Sequence, residues 1–96
     1  MILIKYDKKA SQDLENIYLT ILQDKKSVAD RFVNKIDNYI LLLKTNPKMG
    51  KDCKESGFNR DCRVLYYKNY TILYKINTTH ISIKRILSSK QNNKGN

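Results

Sequence analysis

A chain of 96 residues that is 41% hydrophobic is one small folded domain, too short for a second core and too apolar for a disordered segment. Its 19 basic and 9 acidic side chains leave a net charge of +10, which turns it away from cationic partners and toward nucleic acid, an acidic protein or an anionic surface. The excess is uneven: residues 1–43 hold seven basic and six acidic side chains, and residues 44–96 hold twelve and three, so an electropositive face is expected from the C-terminal half.

In chain order, Ile2–Tyr6 reads as a short strand with Ile2, Ile4 and Tyr6 on one face. Asp7 is placed to cap a helix. Ala10, Leu14, Ile17, Tyr18, Ile21 and Leu22 then make one apolar stripe at helical spacing. Gln23–Lys26 is a polar connection, and Ser27 with Asp30 resembles a capping box opening a second helix. That helix carries Ala29, Phe32, Val33, Ile36, Ile40 and Leu43 and should stop ahead of Pro47. The short connection predicts an antiparallel helix hairpin.

Pro47–Asn59 reads as a loop. Three strands follow, Asp61–Tyr66, Tyr70–Ile76 and His80–Leu87, with Lys68-Asn69 as a tight turn in which Asn tolerates positive φ. In the last strand strict alternation puts Ile81, Ile83, Arg85 and Leu87 on one face and Ser82, Lys84 and Ile86 on the other. The predicted class is α+β, order β-α-α-β-β-β, a helix hairpin packed on a curved antiparallel sheet. The domain is expected over 1–90, with 91–96 a polar, frayed tail.

The apolar start Met1–Ile4 is shorter than a signal-peptide core, and the longest apolar run, Tyr39–Leu43, is far below membrane-spanning length. A cytoplasmic location and no membrane partner are expected by default. Cys53 and Cys62, with His80 the sole histidine, make no metal-ligand spacing. Both thiols are expected free in a reducing cytosol, and no metal or other cofactor is implied.

The ordered set of positions resembles the RelE/ParE superfamily of bacterial type II toxin–antitoxin toxins. The resemblance rests on Ala10-x-x-Asp13-Leu14-x-x-Ile17; on Ala29, Phe32, Ile36, Ile40, Leu43, Pro47 and Gly50; on Arg63-x-Leu65; on Tyr70-x-Ile72-x-Tyr74-x-Ile76; and on Ile81-x-Ile83-x-Arg85-Ile86-Leu87. It implies a toxin held inactive by a cognate antitoxin, acting either on DNA gyrase, as ParE-like members do, or on mRNA in the ribosome, as RelE-like endonucleases do. A third possibility is an inactive toxin fold that binds only its antitoxin or DNA.

RNA cleavage through a ribose hydroxyl needs a group to activate it, a cation on the phosphate and a proton donor to the leaving oxygen. RelE-like strands typically read Tyr-Arg-Leu-Val-Tyr. Here the stretch is Tyr70-Thr71-Ile72-Leu73-Tyr74, with Thr71 in place of the phosphate-binding arginine. The expected tyrosine or histidine after the last strand is also missing, since Lys90 is followed by Gln91-Asn92-Asn93. These departures favour the ParE-like branch. If the chain were a ribonuclease, Arg60, Arg63, Lys84 and Arg85 would be its catalytic cations. His80 beside a turn and Asp13 on the first helix are read as ordinary polar positions.

Lys51, Lys54, Arg60, Arg63, Lys68, Lys84, Arg85 and Lys90 are the candidate residues for a nucleic-acid or protein target. Tyr66 and Tyr67 read as cross-strand packing. Tyr18, Leu22, Tyr39 and Leu87 are candidates for an apolar rim that takes an acidic antitoxin.

Overall fold

The computed structural model describes residues 2–57 and 59–88; Lys90 and the tail expected over 91–96 lie outside them. The chain forms strand β1 (Leu3–Tyr6), helices α1 (Lys8–Leu22) and α2 (Lys26–Leu41), a 3-10 turn at Leu42–Lys44, and strand β2 (Lys51–Asp52). A second 3-10 turn at Cys53–Ser56 follows, then strands β3 (Arg63–Tyr67), β4 (Tyr70–Ile76) and β5 (His80–Ser88). The order is the predicted one, with the two-residue β2 added inside the segment read as a loop.

The five strands form one sheet in the order β1-β5-β4-β3-β2. The last four are antiparallel. β1 returns beside β5 in parallel, with Ile4 opposite Ile81 and Tyr6 opposite Ile83, so the sheet is mixed and the helix hairpin sits inside the crossover between its two edges.

One face of the sheet and both helix stripes make the main core. Ala10 and Ile17 from α1, Ile36 and Ile40 from α2, and Leu43 meet Leu65, Ile72, Tyr74, Ile81, Ile83 and Ile86. Both helix stripes are those read from the 3.6-residue periodicity. α2 tightens into its 3-10 turn and ends before Pro47, as the geometry of a residue preceding proline requires.

Neither predicted helix cap forms. Asp7 occupies the N-cap position of α1, but its carboxylate makes no capping bond and pairs instead with Lys84 Nζ at 2.8 Å. α2 starts from Lys25, which puts Asp30 a full turn inside the helix. There its carboxylate accepts from Tyr18 Oη at 2.8 Å and Lys26 Nζ at 2.7 Å. A nearby cation outcompeted the local amide in both places. In the β3–β4 turn the positive φ falls on Lys68, at 53°, rather than on Asn69.

β5 breaks the predicted alternation. Leu73 pairs with Arg85 and Tyr74 with Ile83, so Lys84 has no partner across the ladder. This β-bulge shifts the phase by one residue. Ile86 therefore joins Ile81 and Ile83 in the main core, while Leu87 turns to the opposite face.

That opposite face is not bare. Val64 and Leu73 pack there with Cys53 and Cys62, which are disulfide-bonded with Cα atoms 5.2 Å apart. The expected free thiols are therefore corrected. β2–β3 pairing and a hydrogen bond from Cys53 N to Cys62 O, 2.9 Å, bring the two strands' ends together, which sequence spacing does not reveal. The closed segment turns at Gly57, whose φ of 90° suits glycine. With a separation of 9 residues, reduction should lower stability by about 2.5 kcal/mol through loop closure. Urea melts with and without dithiothreitol measure it, and coincident curves would mean that the bond contributes nothing.

Candidate functional site

The predicted cations divide into those tied down and those left at the surface. Arg63 reaches back along its own loop. Its Nε and Nη2 donate to Gly50 O at 3.1 and 2.6 Å, and Nη2 also approaches Lys48 O at 3.3 Å. The Gly50 N–H in turn donates to Tyr74 Oη at 2.9 Å, and that hydroxyl donates to Pro47 O at 2.8 Å. Arg63 and Tyr74 together fasten the Pro47–Gly50 loop to the sheet.

Arg85 is held by Asp13. Its Nε and Nη2 donate to the two carboxylate oxygens at 2.7 and 3.0 Å, and the Ile86 N–H donates to the same carboxylate at 2.9 Å. Asp13 is thus no ordinary exposed helix residue: its side chain is 16% exposed. Burial pushes its carboxyl pKa up, but the Arg85 and Ile86 hydrogen bonds outweigh burial and leave it below the usual 3.8. The tie joins α1 to β5 where β1 has ended, giving the Ile86 N–H an acceptor that no strand among the described residues supplies.

The remaining candidates are scattered. Lys51 lies on β2 and Lys54 on the 3-10 turn, both exposed. Lys68 sits at the β3–β4 turn with its ammonium 5.6 Å from the Tyr67 ring centroid. His80 stays within its turn, Nε2 3.3 Å from Asn77 Nδ2 and Nδ1 3.1 Å from Thr79 Oγ1. Tyr67 packs on Phe32 and Tyr39, whereas Tyr66 is exposed.

Arg60, Lys84 and Arg85 do converge. With Asp7, Lys8 and Lys9 they line a cleft of about 540 Å³ between the start of α1 and β5. Lys8 and Lys9 were missed from sequence. Their signal was two consecutive lysines in the first turn of a helix, where acidic residues are favoured.

A second concavity, about 450 Å³, lies between the helices and β1, lined by Tyr6, Leu14, Tyr18, Val33 and Asp37 among others. Tyr6 Oη donates to Asp37 at 2.8 Å across its floor. Burial, together with this bond and the Asp37 charge, pushes the Tyr6 phenol pKa well up. Of the residues proposed for a rim, Tyr18 lines this groove. Tyr39 packs on Tyr67, Leu87 packs on the far-face cluster, and Leu22 is half-buried at the end of α1. The four do not form one surface.

The family model of the ParE toxin of type II toxin–antitoxin systems, parDE, matches residues 4–93. The chain belongs to the ParE toxin family. Among solved structures it is similar to a chain of the chromosomal ParDE toxin–antitoxin system from P. aeruginosa, at 21% identity with a TM-score of 0.75, covering 92% of this chain and 96% of that one. At that identity the likeness speaks for the fold. No curated protein matches. Among the described residues no helix is long and apolar enough to cross a membrane.

Membership in the ParE family accounts for the toxin-like order of elements and for the motif positions read in the sequence. Asp13 and Arg85, both in those motifs, are the pair that joins helix to sheet. Gly50, Arg63 and Tyr74, also in them, are the loop fastening. Much of what makes the chain resemble its family is therefore architecture.

Proposed function

We propose that this ParE-family chain is the toxin of a type II toxin–antitoxin module, that it arrests bacterial growth by binding DNA gyrase, and that a cognate acidic antitoxin neutralises it in the cytoplasm. The observation that carries the gyrase reading is the use already made of two of the candidate arginines. Arg63 is spent on the Gly50 and Lys48 carbonyls and Arg85 on Asp13. Thr71 stands where a RelE-like nuclease has its phosphate-binding arginine. A poison that acts by binding needs no such constellation, whereas phosphodiester cleavage needs an activating base and a proton donor besides a cation on the phosphate, and Lys90 is followed by Gln91-Asn92-Asn93 where a RelE-like nuclease has its tyrosine or histidine.

The antitoxin reading rests on charge and shape. A net charge of +10 favours an acidic partner that orders on binding. The groove between α1 and α2, with Leu14, Tyr18 and Val33 on its walls, suits an amphipathic segment of that partner.

Induction of the chain without an antitoxin should give filamentous cells, a DNA-damage response and gyrase-linked DNA breaks, while translation continues. Rapid loss of translation with cut mRNA would overturn the gyrase reading in favour of a ribosome-dependent endonuclease. No growth effect would leave a fold that only binds its antitoxin or DNA.

A further inference from the structure

The cleft at the start of α1 gathers more positive charge than the fold needs. Among the described residues five cationic side chains, Lys8, Lys9, Arg60, Lys84 and Arg85, share it with a single carboxylate, Asp7. Asp7 is taken by Lys84, and Arg85 is taken by Asp13 from outside the cleft. Lys8, Lys9 and Arg60 have no ion-pair partner among the described residues.

Stability alone disfavours this arrangement. Two lysines repel the positive end of the helix dipole, no acidic residue occupies the first turn, and the Asp7 side chain does not cap. A local choice that opposes the fold in several ways at once is expected where the surface serves a ligand. The wall is also almost purely donor: ammonium and guanidinium groups accept nothing. That matches a group presenting only acceptor oxygens, and not a peptide, which needs acceptors for its own N–H groups. Among the described residues no aromatic side chain lines the cleft, and these offer no platform for unstacked bases.

We propose that this cleft grips the phosphodiester backbone of duplex DNA, with Lys8, Lys9 and Arg60 as the main contacts and Lys84 and Arg85 as fixed background charge. The contact is sequence-independent, because only phosphates are read. It requires no gyrase, and so it stands or falls separately from the target proposed above.

Fluorescence anisotropy of the purified full-length chain with short labelled duplexes of two unrelated sequences tests it. Across about 50–200 mM salt, the triple variant K8A/K9A/R60A should bind both duplexes about tenfold or more weakly, with a salt slope shallower by about two to three. A charge-matched variant, K25A/K35A/K44A, removes three lysines from the α1–α2 turn, α2 and the turn after it, and should lose far less. All six side chains are exposed, and circular dichroism should show both variants folded. Equal losses in the two variants would mean diffuse charge and overturn the cleft. Tighter binding of single strands, or of polyglutamate, than of duplex would overturn the choice of ligand.

Discussion

Replacing Asp13 with Ala should destabilise the fold by about 2 kcal/mol and lower Tm by roughly 10 °C. The substitution removes two charge-assisted bonds to Arg85 and leaves the Ile86 N–H without its acceptor. A fully buried pair would lose more, but Arg85 is 34% exposed and water takes over part of its solvation. Asn at the same place keeps an acceptor for Ile86 and should lose less than Ala. The pH dependence has a definite sign. The folded Asp13 pKa lies below its ordinary value of 3.8, so its contribution is complete above that value and disappears as pH falls through the folded pKa. Urea midpoints of wild type and Asp13→Ala should therefore converge in strong acid and separate at neutral pH. A gap of constant size would show that charge has no part in the tie.

Gly50→Ala should cost about 3 kcal/mol or more, the upper end of what overpacking costs. A Cβ there would lie 2.5 Å from Val64 O and 2.9 Å from the Tyr74 ring and hydroxyl. The carbonyl belongs to β3 and cannot swing aside, so the loop would have to lift and surrender its bonds to Arg63 and Tyr74. Gly57→Ala makes the informative comparison. Gly57 has a φ of 90° but open space around its Cβ position, and its substitution should cost only about 1 kcal/mol from backbone strain. Denaturant unfolding of both variants measures the difference. If Gly50→Ala proved as mild as Gly57→Ala, the close approach at Gly50 would be wrong.

The sequence revealed periodic elements and concealed long-range ties. The helix stripes and β4 followed from apolar spacing, because the core selects one face of each element. β5 did not. A bulge at Lys84 resets its alternation, and nothing local in Ser82-Ile83-Lys84-Arg85 distinguishes a bulged strand from a regular one. Asp13 and Arg85 are 72 positions apart, so their union depends on how α1 crosses the sheet. Cys53 and Cys62 were near in sequence, but whether they meet depends on β2, a strand too short to leave a pattern. For the candidate site, total charge pointed to a basic face from the C-terminal half. It could not show that Arg63 and Arg85 would be absorbed by the architecture, or that Lys8 and Lys9, from the nearly neutral half, would join Arg60.

β5 is longer than the neighbour that accompanies it. β1 pairs with it only from His80 to Ile83, so the stretch from Lys84 to Ser88 runs on with an outer side that no strand among the described residues covers. Asp13 blocks that side by occupying the Ile86 amide, and Lys84 and Arg85 place charge along it. An unguarded rim of this kind is a template on which a second chain can add a strand. The same carboxylate that ties α1 to β5 thus also occupies an amide on this edge, and its loss would leave that amide open to strand addition.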